Sequence, residues 1–410
     1  MNDQNVQQKW LSIVGIGEDG LDGLNAVGRS LLNQAEVIIG GERHLALLPA
    51  ENGRERLLWA SPIEHSIQEI IRRRGQAVCV LASGDPMWYG IGVTLTRRIP
   101  ITEITIVPSP SAFSLACSRL GWSLTEVETL SLCGRDPALL NGLLYPGARL
   151  LVLSADQTTP LTVAQILTQK GFGESQITVL ERMGSIHERI TENIASEWTT
   201  TDLSNLNTIA IRCIASQTSP LWPPVPGLPD AAYHHDGQLT KREVRAVTLS
   251  CLAPIPGQLL WDVGAGCGSI SIEWMRSHSR CQSIAIEHHP QRLQYIADNA
   301  IALGTPALKI IAGKAPMVLK DLPAPDAIFI GGGITTPGLF ETCWQALCLG
   351  GRLVASAVTV ESEQKLLDYQ QKLGGELTRI AIQRAEPIGN FLGWKAMSPV
   401  TQWVIIKSSI

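Results

Sequence analysis

Short apolar runs alternate with amphipathic stretches along this chain of 410 residues. Leu11-Ser-Ile-Val-Gly-Ile-Gly17 is apolar, β-branched and closed by glycines, and a helix-like segment follows from Val27 to Ala35. The same alternation continues through Glu36-Val-Ile-Ile-Gly-Gly41, a second helix-like segment from Ile63 to Arg74, Gln76-Ala-Val-Cys-Val-Leu-Ala82 and Ile104-Thr-Ile-Val107. Strands that alternate with helices predict a parallel sheet. In such a sheet the loops beyond the carboxyl ends of the strands form the ligand crevice. Here those loops are Ser83-Gly-Asp-Pro-Met-Trp-Tyr-Gly-Ile-Gly92 and Pro108-Ser-Pro-Ser-Ala-Phe113. From Trp122 onward a second lobe is expected, with Ser131-Leu-Cys-Gly-Arg135, Ala148-Arg-Leu-Leu-Val-Leu153, Gln176-Ile-Thr-Val-Leu180 and Thr208-Ile-Ala-Ile-Arg212 as strands or strand ends.

The pattern breaks at residues 218–232, where five prolines interrupt a stretch with no periodic apolar face. Such composition predicts a semi-rigid connector, so the expected domains are 10–217 and 233–410. In the second domain Leu259-Leu-Trp-Asp-Val263 is an apolar strand that runs into Gly264, Gly266 and Gly268 and then a helix opening at Ser269. Six more strands follow: Ser283-Ile-Ala-Ile286, Lys309-Ile-Ile-Ala312, Asp326-Ala-Ile-Phe-Ile330, Gly351-Arg-Leu-Val-Ala-Ser356, Leu377-Thr-Arg-Ile-Ala-Ile382 and Gln402-Trp-Val-Ile-Ile406. That makes about seven. Ahead of them, Thr240 with Glu243 three residues later reads as a capping box opening a helix. Lys241, Arg242 and Arg245 could face an acidic substrate, with two of the three expected to be simply solvated.

Composition narrows the class. The length implies two or three domains, and a net charge of -4 argues against a nucleic-acid binder that relies on bulk positive charge. The first ten residues are polar, and no later apolar run approaches the ~18 residues of a membrane span. A cytoplasmic protein without a membrane partner is expected. Nine cysteines, scattered without a Cys-x-x-Cys pair, fit reduced buried thiols better than disulfides or a metal site.

The glycine turn carries the chemistry. Alternating glycines at the end of a strand let a ligand approach the main chain beside helix N-terminal amides. Glu287 closes the second strand at roughly the ~20-residue offset at which an acid meets ribose hydroxyls. A dinucleotide fold would show Gly-x-Gly-x-x-Gly, whereas Gly264-Ala-Gly-Cys-Gly268 has the tighter Gly-x-Gly-x-Gly spacing. This pattern resembles the class I S-adenosylmethionine methyltransferases. The resemblance implies a Rossmann-like fold in which Gly264, Ala265, Gly266, Cys267 and Gly268 lie under the methionine part of the cofactor, although Cys267 reads as a small filler. It further implies that Glu287 holds the ribose, that Ala315 flanks adenine, and that Gly331, Gly332 and Gly333 let a substrate pass close to the backbone. The lead-in Thr240-Lys-Arg-Glu-Val-Arg245 is similar to that of precorrin C15-methyltransferases, which implies that Thr240 touches the cofactor.

The first domain resembles the class III tetrapyrrole methylases, with a Val-Gly-Ile-Gly opening, the Gly84-Asp-Pro86 loop and the Ser111-Ala112 pair. The resemblance implies two α/β lobes with S-adenosylmethionine folded between them, contacted by Ser83, Gly84, Asp85, Trp88, Ser111 and Ala112. Glu18-Asp-Gly stands where Pro-Gly-Asp is usual, so the contact of that proline is lost. Ser131-Leu-Cys-Gly-Arg135 is similar to the subfamily that methylates a precorrin at C5, where histidine is usual at the position of Cys133. Arg135 is a candidate grip for a substrate carboxylate, and a solvated surface arginine is the competing reading.

A C5-type domain followed by a C15-type domain resembles the fused precorrin C5,15-methyltransferases (decarboxylating) over nearly the whole chain. The resemblance implies two S-adenosylmethionine sites and a tetrapyrrole substrate, precorrin-6B, methylated at C5 and C15 with loss of the ring C acetate carboxyl. The product is precorrin-8, on the route to cobalamin. No catalytic triad is expected. His288, His289, Glu243 and Lys241 are candidate proton donors. A cobalt-bearing substrate, an RNA acceptor and a binding protein with one inactive domain are the alternatives, and assembly into a homo-oligomer is a further expectation from the family.

Overall fold

The computed structural model describes residues 9–49, 53–217 and 219–408. Residues 1–8, most of the polar opening, and Thr218, the first residue of the expected connector, lie outside the described residues. The chain divides into two compact units, Met1–Arg135 with Tyr145–Ser219, and Asp136–Leu144 with Pro220–Ile410. No helix among the described residues is long and apolar enough to cross a membrane.

The first unit opens with a five-stranded parallel sheet. Its strands are β1 (Leu11–Ile16), β2 (Val37–Gly40), β3 (Glu55–Leu58), β4 (Val78–Ser83) and β5 (Ile104–Val107), in the order β3-β2-β4-β1-β5. Helices α1 (Ala26–Gln34), α2 (Glu42–Ala46), α3 (Ile63–Arg72), α4 (Ile91–Thr96) and α5 (Ala112–Leu120) connect or follow them. Local chemistry sets the ends: the Asn25 side chain accepts from the Gly28 N–H to start α1, and Ser111 accepts from the Ser114 N–H to start α5. The strand β3 escapes sequence reading because its residues, Glu-Arg-Leu-Leu, lie on the sheet edge and are only partly buried. A second sheet holds β6 (Glu128–Ser131), β7 (Arg149–Leu153), β8 (Gln176–Glu181), β9 (Arg189–Ile194) and β10 (Asn207–Arg212), ordered β6-β7-β10-β8-β9, with α6 (Thr159–Gln169) after β7. Only β6 and β7 pair in parallel here. The expected strand at 131–135 ends at Ser131 and turns, while the polar edge strand β9 is an addition.

The second unit carries α7 (Arg242–Leu252), β11 (Leu259–Val263), α8 (Ser269–Ser277), β12 (Gln282–Glu287), α9 (Pro290–Ala302), β13 (Lys309–Ala312), β14 (Ala327–Ile330), α10 (Leu339–Ala346), β15 (Arg352–Ala357) and α11 (Val360–Leu373). It ends with β16 (Glu376–Ile380), β17 (Gln383–Ile388), β18 (Phe391–Ala396) and β19 (Val400–Ile406). Seven strands form one sheet in the order β13-β12-β11-β14-β15-β19-β16, parallel except where β19 runs against its two neighbours. The strand order reverses between β11 and β14, which places the topological switch point, and hence the crevice, beyond Val263 and Ile330. Strands β17 and β18 form a separate hairpin that the sequence reading does not contain. The expected strand at 377–382 stops at Ile380, and the chain turns into this hairpin.

Two expectations at the entry to this unit are corrected. Thr240 does not cap α7: Lys241 holds the N-cap position without a side-chain cap, and the Glu243 carboxylate accepts from Arg384 instead of closing a capping box. Arg245 is neither solvated nor turned to a substrate. It is fully buried, its Nε donates to Glu273 Oε1 at 2.6 Å, and its remaining N–H groups reach Asp230 and the carbonyls of Thr240 and Leu228. A buried guanidinium is tolerated only when its donors are matched in this way. The back of the proline-rich stretch is held by the same cluster, since the N–H groups of Gly227 and Leu228 and the Tyr233 hydroxyl all donate to Glu273.

Candidate functional sites

Each unit holds a cavity at the carboxyl ends of its parallel strands. In the second unit a cavity of about 1010 Å³ is lined by Thr240, Gly264, Ala265, Gly266, Glu287, Ala315, Gly331, Gly332 and Gly333, nine of the residues singled out from the sequence. Its floor is the switch point. Gly264 and Gly266 have φ of +75° and +59°, and a Cβ on Gly266 would stand 3.1 Å from the Gln238 carbonyl. Only glycine takes such backbone without strain. Glu287 is 3% exposed, and its carboxylate accepts from the N–H groups of Gly266 (3.0 Å), His288 (2.8 Å) and His289 (2.9 Å). One side chain thereby ties the glycine turn after β11 to the loop after β12.

Cys267 and Gly268 are not among the lining residues. The Cys267 side chain packs with Leu228, Tyr233, Ile272 and Ile296, and burial pushes its thiol up to about 11. Gly268 serves as the N-cap of α8 against Ile296. Of the four candidate proton donors, Lys241 and His288 line the cavity, and His288 Nδ1 lies 3.2 Å from Glu287 Oε1. Glu243 is spent on Arg384, and His289 is the N-cap of α9. Sequence reasoning missed the opposite wall, which includes Arg384, Glu386 and Lys395 of the β17–β18 hairpin.

Beneath the cavity, Asp262 accepts from the N–H (3.1 Å) and hydroxyl (2.8 Å) of Ser271 through one oxygen, while its Oδ1 is buried without a hydrogen-bond partner. Burial raises its carboxyl to about 6, against partial opposition from the two Ser271 bonds. A carboxyl raised above its unfolded value of 3.8 adds stability that is complete below that value and is lost as pH rises through about 6. The opening free energy of β11 and α8 amides, read by hydrogen exchange corrected for intrinsic rates, is expected to fall by about 1.4 kcal/mol between about pH 5 and pH 7.5. Asp262→Asn should flatten that slope, and an unchanged slope would refute the assignment.

The first unit has a cavity of about 380 Å³ between its two sheets, lined by Ser83, Gly84, Asp85, Trp88, Ser111 and Ala112, together with residues of β7, β8 and β10 and the loops beside them. The loops after β1, β4 and β5 meet main chain to main chain: Gly84 N–H donates to the Ile16 carbonyl and Ser109 N–H to the Gly84 carbonyl. Asp85 accepts from the Met87 N–H and so shapes its own loop. Glu18, standing where a proline is usual, lines this cavity and pairs with Arg43, whose guanidinium also reaches the Ser83 hydroxyl and His44 Nε2. Because arginine only donates, Nε2 accepts and the ring proton sits on Nδ1. Burial, then the Arg43 charge, lowers His44 to about 4, which keeps it neutral.

Arg135 does not line this cavity. It is exposed, with its guanidinium 5.0 Å over the ring of Tyr89, a lining residue that packs edge-on against Phe113. Cys133 reaches the cavity, its thiol donating to the Ser154 carbonyl. All nine cysteines are unpaired, and six are buried.

Residues 11–198 match the family described as tetrapyrrole (corrin/porphyrin) methylases, and residues 231–407 match the precorrin methyltransferase domain. A Sinorhizobium precorrin-6Y C(5,15)-methyltransferase [decarboxylating] is 49% identical over 96% of this chain and 95% of its own length. The chain belongs to that family. A second precorrin-6Y C(5,15)-methyltransferase, from Mycobacterium tuberculosis, is 42% identical over 96% of this chain and 99% of its own. The crystal structure of the C-terminal domain of the Rhodobacter capsulatus precorrin-6Y C5,15-methyltransferase covers 45% of this chain and all of that chain at 44% identity, with a TM-score of 0.43. As a member of the precorrin-6Y C(5,15)-methyltransferases, the chain is an S-adenosylmethionine-dependent methyltransferase. The donors of the second unit suit that cofactor: Glu287 is a buried acid facing a cavity floored by left-handed glycines, the cradle an adenosyl group with ribose hydroxyls requires.

Proposed function

We propose that the chain methylates one tetrapyrrole twice. The first unit acts at C5, and the second acts at C15 and removes the ring C acetate carboxyl, so that precorrin-6B and two S-adenosylmethionines yield precorrin-8. The observation that carries this reading is the pair of separate cavities, about 380 and about 1010 Å³, each at strand ends and each closed by a glycine-bearing loop. Residues 231–407, which match the precorrin methyltransferase domain, support assigning the C15 transfer and the decarboxylation to the second unit.

Bound S-adenosylmethionine supplies an electrophilic methyl group on a sulfonium. The residues around it position and shield. Meso carbons of a reduced tetrapyrrole are enamine-like nucleophiles, so alignment contributes most of what the protein must add. Gly264 and Gly266 admit the cofactor to the main chain, Glu287 fixes the turn, and Gly331–Gly333 leave space for the substrate at the other side of the switch point. Loss of carbon dioxide leaves an electron pair that the conjugated ring can hold until a proton arrives. Lys241 and His288, both on the cavity wall, are positioned to carry it.

Incubation of the full chain with precorrin-6B and S-adenosylmethionine, followed by mass spectrometry, should give a product with two added methyl groups and one carbon dioxide lost. Cofactor titration should find two sites per chain. A product with a single added methyl group that has lost the ring C acetate carboxyl would restrict the reading to the second unit, and an unaltered tetrapyrrole would overturn it.

A further inference from the structure

We propose that the exposed Glu386–Lys395 pair on the β17–β18 hairpin is a placeholder for the substrate, with Glu386 occupying the position that a tetrapyrrole side-chain carboxylate takes on binding. The inference rests on the reading of the second unit as the site of C15 methylation and decarboxylation, and it names the residues that select for an acidic macrocycle there.

The hairpin register fixes which side chains face the cavity. Arg384 pairs with Lys395, Glu386 with Gly393 and Ile388 with Phe391, so all of these except the glycine project from one face. Arg384, Glu386 and Lys395 of that face line the cavity. The glycine opposite Glu386 leaves its carboxylate with no direct cross-strand partner, and it turns to the diagonal neighbour instead: Lys395 Nζ donates to Glu386 Oε2 at 2.7 Å.

The two cations of this rung are held differently. Arg384 is locked from behind, its guanidinium taken by Glu243 and Asp230, neither of which lines the cavity. That makes it a pin fixing the hairpin to α7. Among the described residues Lys395 pairs with Glu386 alone, and their side chains are 69% and 49% exposed. An ion pair this exposed is weak and exchanges its partner easily. Across the cavity Lys241, Arg292 and Lys314 add positive charge, and the Asp236 that pairs with Arg292 is again outside the lining. The lining thus carries more cations than carboxylates, and of its two carboxylates Glu287 is held by main-chain N–H groups whereas Glu386 is seated on the hairpin lysine. A substrate rich in acetate and propionate groups would displace Glu386 and take Lys395 for itself.

The two partners should then respond in opposite directions, which a purely structural ion pair would not do. With the full chain, precorrin-6B as substrate and decarboxylation as readout, Lys395→Gln is expected to raise KM about 10-fold, as loss of one charged hydrogen bond near the surface predicts, with kcat and the cofactor KM unchanged. Glu386→Gln is expected to lower KM by about 3-fold, the scale of an exposed pair. Arginine at position 395, in Lys395→Arg, should restore most of the affinity. If both variants raise KM, or neither moves it while the parent protein turns over, the placeholder is refuted and the proposed function stands. If the parent protein itself does not decarboxylate precorrin-6B, both fall together.

Discussion

Full-length protein carrying Gly15→Val will return a product one methyl group short, with decarboxylation intact. Gly15 lies in β1, where a Cβ would stand 1.9 Å from the Gly84 carbonyl oxygen and 2.7 Å from the Ser109 nitrogen. Both are main-chain atoms, so no side-chain rotation relieves the contact. The loop bearing Ser83, Gly84 and Asp85 is held to β1 by the Gly84 N–H bond to Ile16, and the β5 loop by the Ser109 hydroxyl bond to the Gly15 carbonyl at 2.7 Å. Valine must drive these strands apart by an ångström or so. A displacement of that size at a site that works by alignment costs about 100-fold or more in rate. Mass spectrometry of the product, with cofactor titration showing one remaining site, checks the result. A doubly methylated product at the parent rate would show that the first cavity is not where the C5 transfer occurs.

The complementary variant is Glu287→Ala. It removes the acceptor of three main-chain N–H groups from a site where little water can replace it. Hydrogen bonds to a charged acceptor contribute roughly 1.5–3 kcal/mol each, and stranded buried donors add their own desolvation cost. The glycine turn after β11 would lose its tie to β12, and cofactor affinity of the second unit is expected to fall by about 100-fold to 1000-fold. The product should then keep its acetate carboxyl. Glu287→Gln, which retains one acceptor oxygen, should fall between the two. Equilibrium dialysis with labelled S-adenosylmethionine distinguishes lost binding from lost chemistry, and full affinity in the alanine variant would remove Glu287 from the cofactor site.

Elements whose burial repeats along the chain were legible in advance. Strands such as β4, Val-Cys-Val-Leu-Ala-Ser, and β14, Ala-Ile-Phe-Ile, are covered on both faces and therefore read as continuous apolar runs. The glycines of the turn after β11 and the acid closing β12 were legible for a similar reason, since the backbone they require admits few alternatives. The hairpin was not. Its first strand, Gln-Arg-Ala-Glu-Pro-Ile, carries charge and a proline because it pairs with a single neighbour and faces a cavity, so neither alternation nor β-propensity marks it.

Long-range capture explains the other departures. Glu243 stands in the right place for a capping box, but Arg384, far along the chain, offers it a charged donor. Arg245 belongs to a basic cluster in sequence and to an acidic one in space, where Glu273 and Asp230 meet it. Nothing in the local spacing of Lys241, Arg242 and Arg245 separates the buried member from the other two. Arg135 kept its aromatic neighbour hidden as well, because Tyr89 reaches it from a different sheet.

The grip of Glu273 and Arg276 on the proline-rich stretch also bears on how this chain can change length. Arg276 donates to the carbonyls of Trp222 and Pro223, and Glu273 takes the N–H groups of Gly227 and Leu228. From Trp222 onward the stretch is therefore a strap belted to one enzyme and no longer slack between two. Upstream, the Ser216 N–H and the Ser219 hydroxyl both donate to the Gly171 carbonyl, so residues added or lost by recombination would be absorbed at Pro220 and Leu221, between the two anchorages, whereas a single insertion between Gly227 and Tyr233 would pull donors from a buried carboxylate. Natural variation in the spacing of the two activities should accordingly collect on the upstream side of that tryptophan.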